Sequence, residues 1–188
     1  MKIIAVDLDE ILAETARALL KRKKNRINKR INWNELSSYN LWEIEKLEIS
    51  KQKSVGIFLW FLVGAGLWNK IDPVVGAKTK LKEFKKRYKL HVVTARHFLL
   101  RFATIRLYLN YKHIFDSVEF ANFFTRFSTK KSEICKKLAD IIIEDNLENA
   151  IECANEIKVY LIDKPWNLAY DKKKHKIIKV NSWSEIEI

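Results

Sequence analysis

At 188 residues the chain is long enough for one compact domain, or for one domain carrying a smaller insertion. Its 48% hydrophobic content suffices for a real core, and with 4 Gly and 2 Pro nothing reads as a flexible linker or a disordered tail. The net charge of +13 predicts a positive field that attracts phosphates, nucleotides or nucleic acid, without choosing among them.

The N-terminal apolar run is too short for a signal peptide, and acids follow it at once. The longest apolar stretch, Val55 to Trp68, falls short of the roughly 20 residues that cross a bilayer and is interrupted by Gly56, Gly64 and Gly66. It reads as a buried helix. Cys135 and Cys153 belong to no C-x-x-C pair and fall in helical segments, so both are expected to be small buried side chains. These features predict a cytoplasmic protein with no membrane partner.

In chain order, Lys2–Val6 is a short apolar run ending in acids, as a buried parallel strand does. Next comes the basic stretch Lys21, Arg22, Lys23, Lys24, Arg26, Lys29 and Arg30, which fits a solvated helix face at least as well as an anion-binding patch. About sixty residues separate the first strand from the next clear helix, too many for a plain crossover. They read as helical and are rich in Trp and Tyr. We expect residues 13–72 to form a helical cap inserted after the first strand, with residues 1–12 and 73–188 forming the core. Beyond it, helices over Lys78–Tyr88, Phe98–Tyr108, Lys131–Leu138 and Leu147–Glu156 alternate with strands over Leu90–Val93, Asp140–Ile143 and Lys158–Ile162. That alternation predicts a doubly wound, mainly parallel α/β sheet, whose ligands lie beyond the strands' C-terminal ends.

The polar residues of interest stand at those ends. Asp7 and Asp9 close the first strand, where one carboxylate can attack phosphorus and the other can give and take a proton. Thr94 follows the second strand and precedes a helix start, which suits a phosphate cradle and equally an ordinary N-cap. Lys131 opens a helix and can neutralise charge on a transferred group, with Lys130 as its direct competitor. Glu144 and Asp145 end a further strand. Acids at the ends of two buried strands repel one another without a cation, and Asp7 and Asp145, with a backbone carbonyl near Asp9, would supply oxygen ligands to Mg²⁺.

Taken jointly, a strand ending D-x-D, a strand ending in Thr, a lysine at a helix start and a strand ending in an acid pair resemble the four motifs of the haloacid-dehalogenase superfamily. Finer detail is similar to the 5′(3′)-deoxyribonucleotidase branch: Ile4–Asp9 with Leu12-Ala13-Glu14-Thr15, Pro73–Ala77 before a helix, Val93–Arg96, Ile143–Asp145, and Tyr160–Asn167. The resemblance implies a Mg²⁺-dependent phosphomonoester hydrolase acting on a small phosphate ester, a (deoxy)nucleoside monophosphate above all. It implies Asp7 as nucleophile, Asp9 as acid/base, Thr94 and Lys131 on phosphate, and Asp145 on Mg²⁺. It also implies a cap whose aromatics help select the base; Tyr39 and Trp42, after the polar turn Ser37-Ser38, are the candidates.

One position departs from the family pattern. Gly usually follows the second aspartate, and Glu10 stands there. Either its side chain turns toward the cap, or it reduces or redirects activity. Two other readings stand beside the nucleotidase: a nucleotide- or nucleic-acid-binding protein on a decayed scaffold, and a phosphatase for polynucleotide 3′-phosphate ends or sugar phosphates.

Overall fold

The buried apolar runs form one six-stranded, all-parallel sheet: β1 (Ile3–Val6), β2 (Lys89–Thr94), β3 (Ser117–Phe120), β4 (Ile141–Glu144), β5 (Lys158–Ile162) and β6 (Ile177–Val180). The computed structural model describes residues 1–22, 31–68, 71–96, 104, 111, 113–122, 128–168, 170 and 176–188. Strand order is β3-β2-β1-β4-β5-β6, so the winding reverses between β1 and β4. In such sheets the crevice beyond the strand ends at the reversal is where ligands bind.

Strand alternation sorts the core into two faces. Ile4, Val6, Leu90, Val92, Ile141 and Ile143 point to one, where they meet Ala77, Leu81 and Phe84 of α3 (Ala77–Phe84) and the C-terminal Trp183 and Ile186. Ala5, Val93, Ile142, Val159 and Leu161 point to the other, where they meet α4 (Lys131–Leu138) and α5 (Leu147–Cys153). Cys135 and Cys153 lie in that second layer as free, fully buried thiols.

β3 and β6 are absent from the sequence reading. Both are sheet edges of four residues; β3 is half-buried throughout and β6 carries an exposed Ile178, so neither has the continuous apolar signature of a central strand. The predicted helix over Phe98–Tyr108 lies outside the described residues, apart from Thr104.

Between β1 and α3 the chain forms α1 (Thr15–Arg22), three short 3₁₀ turns between Trp33 and Leu47, and α2 (Lys51–Trp68). These bury their own cluster, including Leu19, Leu36, Leu41, Leu47, Ile57, Phe61 and Ile71. The outgoing and returning segments run side by side: Glu14 N donates to Asp72 O at 2.9 Å and Val74 N to Leu12 O at 3.0 Å. The apolar run of α2 is buried on one side only; Leu59, Trp60 and Val63 are exposed. Among the described residues no helix is long and apolar enough to cross a membrane. Of the basic stretch Lys21–Arg30 only Lys21 and Arg22 are described, and Lys21 is exposed, 3.8 Å from Asp72.

Candidate active site

The parallel register sets the site. Val6 pairs with Ile143, and Asp7 N donates to Ile143 O at 3.0 Å, so Asp7 and Glu144 leave adjacent strands level with each other. By alternation both continue the face that α4 covers. Lys131, in the first turn of α4, therefore reaches them both: its ammonium is 2.6 Å from Asp7 Oδ1 and 2.6 Å from Glu144 Oε2. Lys130, one residue earlier, points to the surface and pairs with Glu152 at 2.6 Å.

Asp145 completes a set of three buried acids, for carboxylate oxygens of Asp7, Glu144 and Asp145 all lie within 4.8 Å of one another. One lysine cannot balance three acids. Burial, then repulsion from Glu144 and Asp9, raises the pKa of Asp7 from 3.8 to about 7, although Lys131 pulls it down. Burial likewise raises Asp145 well above the carboxylate range, reinforced by Glu144, Asp7 and Glu10. Lys131 experiences the converse: burial alone would lower its pKa, but Asp7 and Glu144 outweigh that and hold it charged. Oxygens this close, with a surplus of negative charge, suit a hard divalent cation, whose ligands stand about 2 Å from it and about 4 Å apart across it.

Asp9 sits in a different setting. Burial opposes its charge, yet the Arg96 guanidinium more than compensates and its pKa is lowered. Arg96 Nε donates to Asp9 Oδ2 at 3.0 Å, a second guanidinium nitrogen donates to Oδ1 at 2.5 Å, and the Thr15 hydroxyl donates to Oδ1 at 2.5 Å. Thr94, fully buried at the end of β2, accepts from Arg96 N at 3.3 Å.

Glu10 adopts φ 61°, the left-handed region that favours glycine. Its side chain turns to the segment that follows β1: the carboxylate accepts from Ala16 N, in the first turn of α1, at 2.5 Å. An acid at a helix N-terminus meets unpaired N–H groups and the positive end of the helix dipole. Burial nonetheless raises its pKa from 4.5 to about 7, opposed by the Ala16 hydrogen bond and Lys164. Glu10 also carries charge toward Asp145.

Aromatic rings approach the acids from the turn after β5 and from the segment between β1 and α3. Trp166, in the short turn after β5, donates its indole N–H to Asp145 Oδ2 at 3.1 Å. Trp33 and Tyr39 meet its ring edge-on, with centroids at 5.6 and 5.7 Å. Loss of hydration, with the charges of Asp9, Asp145 and Asp7, raises the Tyr39 pKa well above 10.0, so its hydroxyl stays protonated. Trp42 is half-buried in the segment between β1 and α3, with Lys51 Nζ 5.4 Å from its ring centre.

The geometry thus brings Asp7, Asp9, Thr94, Lys131 and Asp145 to one strand-end crevice and sets Tyr39 at its edge. It adds Glu144, Arg96, Trp166 and Thr15, to which sequence reasoning gave no role. Glu144 was legible from strand parity, since on parallel neighbours it comes level with Asp7. Arg96 had a weaker signal, a lone arginine just past a buried strand end that must find an acid if it is itself buried.

The whole chain, residues 1–188, matches the model of the family described as 5′ nucleotidase, deoxy (pyrimidine), cytosolic type C protein (NT5C). Among solved structures it resembles a haloacid dehalogenase-like family hydrolase from Streptococcus pneumoniae, with TM-score 0.71 and 15% identity over 98% of this chain and 96% of that one. It also resembles CbbY from Rhodobacter sphaeroides in complex with phosphate, with TM-score 0.62 and 14% identity over 98% and 96%. A HAD-superfamily hydrolase of subfamily IA from Geobacter sulfurreducens is similar at TM-score 0.62 and 14% identity over 98% and 94%. Among curated proteins the sequence has no match. At these identities the structural likeness speaks for the fold, and the full-length family match for the kind of enzyme. The chain is a phosphoric monoester hydrolase of the haloacid-dehalogenase superfamily and belongs to the cytosolic type C 5′-nucleotidase family.

Proposed function

We propose that the protein is a Mg²⁺-dependent nucleotidase that hydrolyses (deoxy)nucleoside monophosphates through an aspartyl-phosphate on Asp7. The observation that carries this reading is Asp7 itself: a buried carboxylate at the end of a central strand, 2.6 Å from the Lys131 ammonium and grouped with two further acids.

In this reading Asp7 Oδ attacks the phosphorus in line and the ester oxygen departs with a proton from Asp9. Water then attacks the phosphorus of the aspartyl-phosphate and returns its proton to Asp9, which frees Asp7 and inorganic phosphate. Lys131 and Thr94 bind the phosphoryl oxygens, and the fixed ammonium offsets charge as it develops. Asp9 must carry a proton to serve as acid, so its pairing with Arg96 has to loosen as the dianionic phosphate enters and offers the guanidinium another anion. Asp7 and Asp145, with the Asp9 carbonyl and with Glu144 beside them, would hold Mg²⁺. The cation supplies Lewis-acid polarisation of the phosphoryl group and relieves repulsion between acids. Tyr39, with the rings around Trp166, would face the base, and the same reading has the enzyme act on diffusible nucleotides in the cytoplasm.

A turnover screen over nucleoside 5′- and 3′-monophosphates, sugar phosphates and a 3′-phosphorylated oligonucleotide, with and without Mg²⁺, tests this directly. Preference for a nucleotide, lost in excess chelator, is expected. Faster hydrolysis of a sugar phosphate or of the oligonucleotide end would overturn the substrate assignment, and nucleotide binding without turnover would overturn the catalytic one.

A further inference from the structure

Trp166 belongs to two parts of the molecule at once. Its backbone is anchored to the core, because the neighbouring Asn167 side chain donates to Asp145 O at 2.8 Å and to Ile162 O at 2.9 Å. Lys164 N in turn donates to Asn167 Oδ1 at 3.1 Å, and Pro165 stiffens the first position of the turn. Its indole ring, however, packs with the insertion's hydrophobic cluster rather than with either face of the sheet. Trp33 and Tyr39 each meet that ring edge-on, and the Arg17 guanidinium lies over Trp33 at 4.3 Å, which ties α1 into the same cluster. The single polar atom of the indole is spent on Asp145 Oδ2.

Among the described residues, the hydrogen bond to the Asp145 carboxylate is the one from the Trp166 indole. Its backbone carbonyl is fixed by Asn167, whereas its carboxylate can still turn about two side-chain bonds, and the Trp166 N–H donates to one of its oxygens at 3.1 Å. A carboxylate ligand held by an outer partner binds its cation more tightly than a free one. Here the outer partner is itself positioned by residues of the insertion.

We propose that Trp166 is a positioning residue that couples the seating of the insertion to the cation site: with Trp33 and Tyr39 closed on the indole, Asp145 is aimed at the cation, and with them withdrawn it is not. The inference rests on the assignment of Asp145 as a Mg²⁺ ligand. Coupling between two sites is reciprocal, so cation binding must also steady the insertion.

Calorimetric titration of Mg²⁺ into wild type, Trp166→Phe, Trp33→Ala and the double variant tests this without turnover. Trp166→Phe keeps the ring and removes the N–H, and is expected to weaken Mg²⁺ binding about tenfold, as loss of an outer-shell partner does. Trp33→Ala, which touches no ligand, is expected to weaken it several-fold, and the double variant no further than Trp166→Phe alone, the non-additivity of residues acting in series. Hydrogen exchange on the wild type, which needs no variant to fold, should show slower exchange over residues 33–47 when Mg²⁺ is added, and Trp166→Phe should abolish that response. Normal Mg²⁺ affinity in Trp33→Ala, with cation-independent exchange in the insertion, would overturn the coupling and leave the site assignment standing. Absence of Mg²⁺ binding in the wild type would overturn both.

Discussion

Two carboxylates stand two residues apart at the end of β1, and their surroundings differ in kind. The region around Asp7 holds three buried acids against one lysine and has spare negative charge. The region around Asp9 is balanced: one carboxylate, one guanidinium gripping it with two nitrogens, and one hydroxyl. Burial raises the first pKa to about 7, whereas the arginine lowers the second. A site short of a cation and a site already supplied with one thus sit on a single D-x-D, and for Asp9 to act as the proposed acid its arginine must first be drawn away.

The hardest break in the comparison is Asp7→Asn. The amide keeps the shape and loses the proposed nucleophile, so kcat is expected to fall by at least about a thousandfold. Thermal stability should hold or rise, because a repelled acid has been removed. Turnover near that of the wild type would take Asp7 out of the mechanism.

Removing the cationic partners separates the two regions. Lys131→Met and Arg96→Met each leave buried carboxylate charge uncompensated, which typically costs about 3–5 kcal/mol. Added Mg²⁺ should restore much of the loss in Lys131→Met, where spare acids can bind it, and little in Arg96→Met. Denaturant unfolding with and without Mg²⁺ reads this, and equal rescue of both would erase the distinction.

The two regions also oppose each other in pH. Asp7 titrates at 3.8 when unfolded and at about 7 when folded, so the folded protein holds a proton that the unfolded chain has lost. Its contribution is greatest below pH 4 and declines as pH rises from about 4 to about 7, by at most about 1.4 kcal/mol per unit. Glu10, raised from 4.5 to about 7, acts in the same direction. Asp9, being lowered, contributes stability above its unfolded pKa that fades as pH falls below it. Subtracting the stability profile of Asp7→Asn from that of metal-free wild type should isolate the first slope, and Mg²⁺ should flatten it. A difference that grows more favourable from pH 4 to 7 would contradict the environment described for Asp7.

The smallest effect is expected from Glu10→Gly. Glycine relieves a left-handed backbone but gives up the hydrogen bond to Ala16, and these differ by less than about 1 kcal/mol. A melting temperature within a few degrees of wild type is therefore expected. Loss of several kcal/mol would show that the carboxylate fastens α1 far more firmly than one hydrogen bond does.

How much of this was legible before the fold depended on whether a residue's partner could be inferred from local pattern. The central strands and the residues at their C-terminal ends could be, because a parallel strand buried on both faces leaves an unbroken apolar run and a sharp polar stop. Lys131 could be placed at a helix start and the family resemblance preferred it to Lys130, but the physical reason lies in the register, which turns one lysine inward and the other to Glu152. Trp166 stood in a recognisable Lys-Pro-Trp-Asn string, yet its partners Trp33 and Asp145 lie 133 and 21 residues away, distances that no periodicity reports. Edge strands β3 and β6 failed for the opposite reason: half-buried and short, they carry too little hydrophobic signal to stand out.

Cys135 follows Lys131 by one helical turn on the same face of α4, and it faces the layer that holds Cys153 of α5. Both thiols are fully enclosed. An alkylating reagent can reach them only when these helices lift from the sheet, so the rate of thiol labelling is a native clock for that opening. The clock is attached to the helix that carries Lys131, the lysine proposed to bind phosphate. A substrate analogue that engages Lys131 should therefore slow alkylation of a residue it never touches, giving a covalent readout of occupancy that requires neither turnover nor an added fluorophore.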